Sequence, residues 1–345
     1  MLKFIASFAA NNTNMYQEAY HHESIENNSF LITGGAGFIG SNLVEYLLKH
    51  KAKKVRVLDN FATGFQHNIA EFESNPNFEF MLGDIRDVET CKKAVDGIDY
   101  VLHQAALGSV PRSFNDPIST NAVNISGFLN MLVASRDAGV KRMVYAASSS
   151  TYGDSKALPK QEEIIGKPLS PYAITKYVNE LYADNISKHF GFHTIGLRYF
   201  NVFGPKQNVK GAYAAVIPLF FNAGIHNTNV TINGDGNQTR DFTFVENVVQ
   251  ANMKSLFAEI TQHEVINVAV GDRISVNDLW KNIKEFTQST VEATYGESRI
   301  GDVRDSLADI TKAKTLLNYN PKYKIRDGLA ITYDFFKKQS LIHEK

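Results

Sequence analysis

Short apolar runs alternate with amphipathic stretches along the first 200 residues of the chain. The runs are rich in β-branched and aromatic residues, which is typical of buried parallel strands. Six runs are predicted strands: Phe30–Thr33, Val55–Asp59, Phe78–Leu82, Tyr100–Gln104, Met143–Ala147 and Thr194–Arg198. The stretches between them predict the helices Phe38–His50, Gln66–Phe72, Val88–Val95, Pro117–Ala138 and Pro171–Phe190. This alternation predicts an α/β fold built on a doubly wound parallel sheet.

Beyond Tyr199 the alternation becomes irregular, which predicts a smaller α/β lobe. Its predicted elements are helices at Tyr213–Asn222, Ser275–Phe286 and Ile310–Leu317 and strands at Val230–Ile232, Asp241–Val245 and Val265–Val270. The last strand is expected to return to the main sheet. We therefore predict a dinucleotide-binding domain (29–198 with 241–271) and a substrate lobe (199–240 with 272–345). Residues 1–28 form a polar, partly helical N-terminal extension in this prediction.

A glycine-rich segment, Gly34-Gly35-Ala36-Gly37-Phe38-Ile39-Gly40, follows the first predicted strand and opens the first helix. Glycines in this turn let the backbone approach a pyrophosphate closely, and the helix N-terminus favours the negative charge. Asp59 ends the second predicted strand, where a carboxylate accepts hydrogen bonds from a ribose and repels a 2′-phosphate. Arg56 lies inside the strand rather than at its tip. The segment therefore predicts a Rossmann site that prefers NAD to NADP.

Other polar or small residues end the next strands of the predicted sheet. Asp84-Ile85 follows the third strand and is placed to frame an adenine, and Gln104-Ala105-Ala106 is small enough to pass beneath a dinucleotide. The complete set of predicted cofactor residues is Gly34, Gly37, Phe38, Ile39, Gly40, Asp59, Asn60, Thr63, Gly64, Asp84, Ile85, Gln104, Ala105, Ala106, Tyr172, Lys176 and Tyr199.

Tyr172 and Lys176 lie four residues apart on a predicted helix, so both project from one face. The ordinary pKa of tyrosine is about 10. A neighbouring ammonium and a cationic nicotinamide both favour the phenolate, so we expect this pKa to be lowered into the working range of a base. The segment Ala146–Gly153 adds serines at a strand end, where ligands bind in this architecture. The alternative interpretation of Tyr172 and Lys176 is an ordinary pair on a helix surface.

Composition and charge restrict the remaining classes of function. The 345 residues are 43% hydrophobic and 21% charged, and Lys plus Arg equals Asp plus Glu at 36 each, so no overall basic field attracts nucleic acid or anionic membrane. No apolar run has the length of a membrane span. The single Cys91 fits a reducing compartment. We expect a cytoplasmic enzyme without a metal; secretion through a signal sequence at Phe4–Ala10 is the alternative.

Taken together, Gly34–Gly40, Asp59, Ser148–Gly153 and Tyr172–Lys176 resemble the extended short-chain dehydrogenase/reductases that act on nucleotide sugars. The resemblance runs from about Phe30 to Gly328. Two longer segments are similar to the UDP-N-acetylhexosamine 4-epimerases of bacterial surface-polysaccharide pathways: His103–Ser113 and Leu197–Gly204.

The resemblance implies a mechanism and roles for the catalytic residues. Tyr172 would remove the proton of the sugar 4-hydroxyl while hydride passes from C4 to tightly held NAD⁺, and the 4-keto sugar would turn before hydride returns. Lys176 would bind the nicotinamide ribose. Ser148 best matches the proton relay, with Ser149 close behind. The residues beside the relay, Ser149, Ser150 and Thr151, carry no carboxylate, which disfavours dehydration and decarboxylation.

The resemblance also implies a substrate site and a partner. The expected substrate residues are Gly108, Ser109, Ser148, Ser149, Tyr172, Asn201, Ala215, Val216, Asn233, Arg240, Arg299, Asp302 and Ser306. Arg240 and Arg299 would hold the diphosphate, with Arg273 and Arg304 as weaker candidates. Small residues at Gly108 and Ser306 leave room for a 2-acetamido group, so UDP-N-acetylglucosamine (UDP-GlcNAc) and UDP-N-acetylgalactosamine (UDP-GalNAc) are the expected substrates.

Several alternatives stay open at this level. One is 4-epimerisation of a UDP-N-acetylhexosaminuronic acid, for which Arg112 or Arg304 would supply a cation near C6. UDP-glucose and UDP-galactose are another substrate pair. A catalytically silent NAD-binding protein is a third possibility. Relatives dimerise through two helices each, which implies a homodimer through the helices Pro117–Ala138 and Pro171–Phe190.

Overall fold

Seven parallel strands form the central sheet of the protein. A computed structural model describes residues 15–209, 214–298 and 303–343. The central sheet consists of β1–β6 and β11. All strands of the described ranges, in chain order, are β1 (Ser29–Thr33), β2 (Lys54–Asp59), β3 (Phe78–Leu82), β4 (Tyr100–His103), β5 (Arg142–Ser148), β6 (Thr194–Tyr199), β7 (Val202–Phe203), β8 (Val230–Asn233), β9 (Thr239–Arg240), β10 (Thr243–Phe244), β11 (Glu264–Val268), β12 (Ile274–Ser275) and β13 (Ala293–Gly296).

The order of the central sheet is β11-β6-β5-β4-β1-β2-β3. The chain runs outward from β1 through β2 to β3 and then crosses to β4, so the direction of winding reverses between β1 and β4. A crevice opens beyond the carboxyl ends of the strands at such a reversal, and ligands bind there in doubly wound sheets. The predicted doubly wound fold is confirmed, including the return of the seventh strand, which pairs with β6 along Glu264–Val268.

Ten helices of more than one turn lie in the described ranges. They are α1 (Phe38–Lys49), α2 (Val88–Val95), α3 (Val110–Asn115), α4 (Pro117–Asn121, continued by a π-helical segment Ala122–Gly127 and by Phe128–Asp137), α5 (Pro171–Phe190), α6 (Val216–His226), α7 (Val245–Leu256), α8 (Val276–Thr287), α9 (Thr311–Leu317) and α10 (Ile325–His343). None of these helices combines the length and the apolar character that a membrane span requires.

Two predicted elements are wrong in part. The predicted strand Asp241–Val245 is reduced to the two residues of β10, and Val245 begins α7, which is not among the predicted helices. The β-branched and aromatic residues Phe242–Val245 favour a strand, and the polar residues at half of the positions of α7 give no sign that all of it except Lys254 is buried. The predicted helix Gln66–Phe72 is two 3₁₀ turns, because its short length favours tight turns and the Asn68 side chain bonds the Ala36 carbonyl instead.

Side chains that alternate along the strands pack on opposite faces of the sheet. Phe30 and Ile32 join the cluster beneath α1 and α7, whereas Leu31 joins the cluster beneath α2 and α4. The C-terminal lobe has its own core around Phe221 and Trp280. Its strands are paired in twos, β7 with β10, β8 with β13 and β9 with β12. The large sheet therefore provides an extended frame, and the lobe provides short strands joined by loops.

The described part of the N-terminal extension, residues 15–28, contains no helix. It packs against the domain instead of extending into solvent, since Tyr16, Tyr20 and Ile25 are buried in the core cluster beneath α1. The predicted partial helicity is therefore wrong for these residues. Short polar segments between the aromatic residues hide this packing from a pattern-based prediction.

Candidate active site

Two adjoining cavities open at the carboxyl ends of the central strands. The first cavity, of about 580 Å³, contains residues that follow β1, β2, β4, β5 and β6. The second cavity, of about 530 Å³, lies between β8, β9 and α6 of the C-terminal lobe. Asn201, Val202, Gln207 and Ala215 line both cavities, so the two form one cleft. A ligand held in the lobe can therefore extend into the first cavity.

The glycine-rich turn forms a cradle at one end of the first cavity. Gly34 has φ +69°, a left-handed conformation that suits glycine, and a Cβ at Gly40 would lie 2.2 Å from the Gly34 carbonyl oxygen. Gly37 is the N-cap of α1, where no side chain caps the helix and no acidic residue occupies the first turn. The helix N-terminus is thus available to a phosphate group, and the cradle fits the pyrophosphate of a dinucleotide.

Asp59 connects the end of β2 to this turn. Its Oδ2 accepts the N–H of Ala36 at 3.0 Å and its Oδ1 accepts the N–H of Phe61 at 2.8 Å. Burial raises the pKa of Asp59, and these backbone hydrogen bonds oppose the shift. The carboxylate lines the first cavity, where a ribose hydroxyl can donate to its remaining lone pairs.

Arg56 is directed away from the cavity, as expected for a residue within the strand. Its guanidinium pairs with Glu79 at 3.0 Å and donates to the carbonyls of Ala94 and Asp96. Arg56 therefore offers no cation to a 2′-phosphate, in agreement with the predicted preference for NAD. Asp84 also lines the cavity, and the hydrogen bonds from Arg86 lower its pKa to about 2.

Helix α5 begins beside the first cavity. Ser170 caps the helix by accepting the N–H of Ala173 at 3.1 Å, and Pro171 occupies the first turn. The start of the helix is thereby fixed, which places Tyr172 and Lys176 on the cavity wall together with Ser148. The three predicted catalytic groups are brought together from β5 and α5.

Lys176 does not act on Tyr172 as the sequence suggests. Its Nζ donates to the Ala146 carbonyl at 2.7 Å and lies 5.9 Å from the centroid of the Tyr172 ring. Burial raises the pKa of Tyr172, and a hydrogen bond with Ser148 lowers it only in part. Burial lowers the pKa of Lys176 to about 8. The expected lowering of the tyrosine pKa by the ammonium is therefore wrong for the protein groups alone.

The serine run divides into one cavity residue and its support. Ser148 Oγ accepts hydrogen bonds from the Ser150 hydroxyl at 2.8 Å and the Ser150 N–H at 3.2 Å. Ser149 begins the 3₁₀ turn Ser149–Tyr152 and is not among the lining residues of either cavity. Ser148 is thus the serine whose hydroxyl is held at the site, with Ser150 fixing its orientation.

Almost all the other predicted cofactor residues line the first cavity. The exception is Gly64, which packs against the glycine-rich turn, where a Cβ would lie 2.8 Å from the Ala36 carbonyl carbon. The predicted residues that line it are Gly34, Gly37, Phe38, Ile39, Gly40, Asp59, Asn60, Thr63, Asp84, Ile85, Gln104, Ala105, Ala106, Tyr172, Lys176 and Tyr199.

The predicted substrate residues are distributed over both cavities. Gly108 and Ser109 line the first, and Asn201, Ala215, Val216, Asn233 and Arg240 line the second. Ser306 lines neither cavity, although its N–H bonds the carbonyl of Thr239, the residue before Arg240. Arg299 and Asp302 lie outside the described residues. The lobe thus brings one arginine of the predicted pair to the cleft.

Three polar residues at the site are absent from the predicted set. Gln207 lines both cavities. Asn124, in the π-helical segment of α4, bonds the backbone N–H and carbonyl of Leu107 and the hydroxyl of Thr175. Asn252 of α7 bonds the hydroxyl of Tyr199, a cofactor-cavity residue. An asparagine inside a predicted amphipathic helix is the only signal that could have indicated Asn124, since π segments often lie at functional sites.

The fold and the site are those expected of an α/β enzyme with a Rossmann-type dinucleotide site, with Tyr172, Lys176 and Ser148 as its candidate catalytic group. Residues 30–269 match the NAD dependent epimerase/dehydratase family, which is more than half of the chain. The chain therefore belongs to that family, and NAD is its cofactor. Within the described ranges, no group of three or more His, Cys, Asp or Glu residues is arranged to hold a metal ion.

Solved structures with similar folds differ in the sugar that they bind. The UDP-glucose 4-epimerase of Thermotoga maritima, solved with UDP-glucose, is 36% identical, with a TM-score of 0.85 over 90% of this chain and 99% of that one. The UDP-N-acetylglucosamine 4-epimerase of Methanobrevibacter ruminantium, solved with UDP-N-acetylmuramic acid, is 35% identical, with a TM-score of 0.86 over 91% and 99%. The UDP-glucuronic acid 4-epimerase of Bacillus cereus, solved with UDP-glucuronic acid and NAD, is 31% identical, with a TM-score of 0.84 over 90% and 99%.

Proposed function

We propose that the protein is an NAD-dependent UDP-sugar 4-epimerase that interconverts UDP-GlcNAc and UDP-GalNAc. NAD-dependent 4-epimerisation of a UDP-sugar is the activity that the three named relatives share. The observation that carries the proposal is the continuous cleft, in which Tyr172 and Ser148 line one cavity and Arg240 lines the other. This arrangement suits a substrate anchored by its nucleotide, with its sugar beside the catalytic groups.

The chain's own residues supply proton transfer and binding in this reaction. Bound NAD accepts a hydride from C4 of the sugar and returns it to the opposite face. Tyr172 takes the proton of the 4-hydroxyl, directly or through Ser148, and gives it back in the second half of the reaction. Burial raises the pKa of Tyr172 and the hydrogen bond with Ser148 lowers it only in part, so the positive charge of the oxidised nicotinamide would further favour the phenolate.

Reactions that need further proton transfers are disfavoured by the residues beside Ser148. Ser149, Ser150 and Thr151 continue the chain without a carboxylate, so the residues that follow Ser148 in sequence provide no carboxylic acid–base group. A dehydratase or decarboxylase step needs such a group for a second proton. The lack of a carboxylate after Ser148 in sequence therefore supports a reaction in which one proton and one hydride leave the sugar and return to it.

The choice of an acetamido sugar depends on space at Gly108. This glycine is an exposed residue of the first cavity, and a Cβ built on it would have no atom within 4 Å. Its backbone has no left-handed φ, so larger residues are tolerated by the local conformation. The open space supports a wall that admits a 2-acetamido group.

The test is to fill that space in two steps. Gly108→Lys is expected to reduce kcat/KM for UDP-GlcNAc by about tenfold or more and to change kcat/KM for UDP-glucose by less than about twofold, since loss of pocket fit costs roughly 1–3 kcal/mol. Gly108→Ala is the control, because a single methyl group enters open space and leaves both rates unchanged. An equal loss on both sugars contradicts the size argument.

Arg112 supports a second candidate, the 4-epimerisation of a UDP-N-acetylhexosaminuronic acid. Arg112 lines the first cavity with Gly108 and Ser109, and a guanidinium there would suit a carboxylate at C6. Comparing kcat/KM for UDP-GlcNAc and its uronic acid decides between the two. A large preference for the uronic acid, lost in Arg112→Gln, would make this second activity the function.

We also propose that the enzyme is a homodimer formed through α4 and α5. Apolar side chains on these helices are exposed in the single chain, including Ile118 at 82%, Leu181 at 52% and Ile174 at 49%. Large apolar side chains exposed on neighbouring helices are typical of a protein interface. The exposed face supports the assembly that the family resemblance implies.

A further inference from the structure

A segment before the first strand covers one face of the cofactor-binding helix α1. We name this segment, Met15–Ile25, the N-terminal strap. Its side chains Tyr16, Tyr20 and Ile25 are buried, with Tyr16 fully inaccessible to solvent. The family match begins at residue 30, so the strap precedes the part of the chain that defines the family. The known activity assigns it no role.

The strap follows a single face of α1. Tyr46 O–H accepts the backbone N–H of Tyr20 at 2.7 Å, and the two rings stack with centroids 5.6 Å apart. Lys49 donates to the Met15 carbonyl at 2.7 Å. Tyr16 contacts a third residue of the helix, Asn42. Asn42, Tyr46 and Lys49 are spaced by four and three residues, and they therefore share one face of α1.

Asn42 connects the strap to the cofactor cradle. The Tyr16 hydroxyl donates to Asn42 Oδ1 at 2.6 Å. With its oxygen thus engaged, the Asn42 amide directs Nδ2 to the Phe38 carbonyl at 2.8 Å and to the Pro205 carbonyl at 3.2 Å. Phe38 is the first residue of α1 and lines the first cavity. One phenol therefore sets the orientation of an amide that holds the phosphate-binding turn.

The Pro205 carbonyl belongs to the loop that links the two cavities. Gln207, two residues later, lines both of them. The same loop is attached to the dinucleotide domain by Lys206, whose Nζ lies 2.9 Å from Glu45 and 3.2 Å from Glu71. Asn42 thus joins the helix turn beneath the cofactor to the loop at the boundary of the cofactor and sugar sites.

The strap is also anchored to α7 through Tyr16 and Tyr20. Glu246 Oε1 accepts the Tyr16 N–H at 3.1 Å and the Tyr20 hydroxyl at 2.8 Å. Tyr16 and Tyr20 therefore share an acceptor, but their hydroxyls have different partners. Tyr16 donates to the helix that carries the cofactor turn, whereas Tyr20 donates to Glu246. The two phenols form a matched pair for testing what the strap does.

We propose that the strap is a positioning element for the cofactor site, in which Tyr16 orients Asn42 and thereby slows the release of NAD. Slow release of NAD matters here if the proposed function holds, because an epimerase that returns its hydride must keep the same cofactor through the reaction. Asn42 is buried, and its Oδ1 accepts a hydrogen bond from the Tyr16 hydroxyl. Removing that hydroxyl therefore leaves Oδ1 without this donor. The amide then loses the constraint that directs Nδ2 to Phe38 and Pro205.

The experiment compares Tyr16→Phe with Tyr20→Phe in the full-length, NAD-loaded protein. Each variant removes one buried hydroxyl and keeps its ring. Tyr16→Phe is expected to accelerate the release of NAD into an excess of a competing dinucleotide by about three- to tenfold, the size of one neutral hydrogen bond. Tyr20→Phe is expected to change it by less than about twofold. Released NAD is quantified directly, without a sugar substrate, so the result is independent of the proposed function.

A second readout separates positioning from a general loss of stability. In Tyr16→Phe, hydrogen exchange is expected to rise at the first turn of α1, and activity lost on dilution is expected to return with added NAD⁺. Equal acceleration of release by both variants, accompanied by equal falls in Tm, would mean that the strap only stabilises the fold. Wild-type release rates in Tyr16→Phe would also overturn the proposal.

Discussion

The two halves of the cleft are built in different ways. In the dinucleotide half, residues that line the cavity follow the ends of long parallel strands, as Gly34 follows β1, Asp59 ends β2 and Ser148 ends β5. In the C-terminal half, the cavity is lined by helix α6, by two- to four-residue strands and by loops, and Arg240 belongs to a strand of two residues. The same cleft therefore has one wall set by a large sheet and another set by a helix, short strands and loops.

This difference separates chemistry from selectivity. A seven-stranded sheet fixes the positions of its strand ends, so Ser148 and the cofactor cradle have little freedom to move, and Tyr172 lines the same cavity from helix α5. Loops tolerate replacement and insertion, and they carry the specificity of many enzymes. Relatives at 31–36% identity that bind UDP-glucose, UDP-N-acetylmuramic acid and UDP-glucuronic acid illustrate this division. We expect changes in the two halves to affect different kinetic constants.

The largest expected effect comes from the dinucleotide half. Tyr172→Phe removes the proton acceptor while keeping the ring, so kcat is expected to fall by about 10²- to 10⁴-fold. The content of bound NAD should stay at the wild-type level, because the cradle at Gly34–Gly40 is distant along the chain and unchanged. Both quantities are measured on the same purified preparation. Retained turnover in the variant would contradict the role of Tyr172 and the enzymatic proposal with it.

A smaller effect is expected from the substrate half. Arg240 is held by hydrogen bonds from its guanidinium to the carbonyls of Thr239 and Arg304, and it lines the second cavity. Arg240→Ala is expected to raise KM about 10- to 100-fold, since a charge-assisted hydrogen bond contributes roughly 1.5–3 kcal/mol. Bound NAD and the proton chemistry should be unaffected.

Arg326→Ala provides the control for this change. Arg326 is an exposed arginine of the same lobe that pairs with Glu285, so its loss removes one surface cation without touching the cleft. The KM of Arg326→Ala should equal that of the wild type. A loss of NAD in Arg240→Ala would show that the two halves of the cleft are coupled rather than separate.

The same contrast explains which features the sequence predicts. Strand ends such as Asp59 and Gln104 are recognisable because a strand has a short apolar pattern and a polar residue marks its end. Helix α7 was missed because Val245 continues the strand-like run that begins at Phe242, and nothing in its partly polar sequence shows that it is buried on all sides. Gln207 is hidden because it lies on a loop, where no periodicity places a side chain. Most of the substrate residues were predicted by resemblance to a family, not by pattern.

The catalytic pair shows that spacing predicts proximity but not charge. Tyr172 and Lys176 share a helix face, as four-residue spacing requires. Burial then acts on both groups, raising the pKa of Tyr172 and lowering that of Lys176 to about 8. Desolvation depends on residues such as Ala146 and Ser148, which arrive from another strand. The sequence of the helix alone contains no information about it.

The smallest expected effect concerns the buried ammonium of Lys176. Its pKa of about 8 lies below the ordinary value of 10.5, chiefly because of burial, so between these values the unfolded chain binds a proton that the folded protein does not. The free energy of unfolding should therefore rise with pH in this window, by at most about 1.4 kcal/mol per pH unit.

Lys176→Met keeps the length of the side chain without the charge and should lose this contribution. We expect urea unfolding of the cofactor-free proteins to show the wild type gaining stability relative to Lys176→Met between about pH 8 and pH 10. Since Lys281 is a lysine of the C-terminal half, Lys281→Met is the control, and it should follow the wild-type pH dependence. A constant difference between wild type and Lys176→Met across this range would mean that the ammonium is as well solvated as one on the surface, so the dinucleotide half would hold its lysine no differently from the way the C-terminal half holds Lys281.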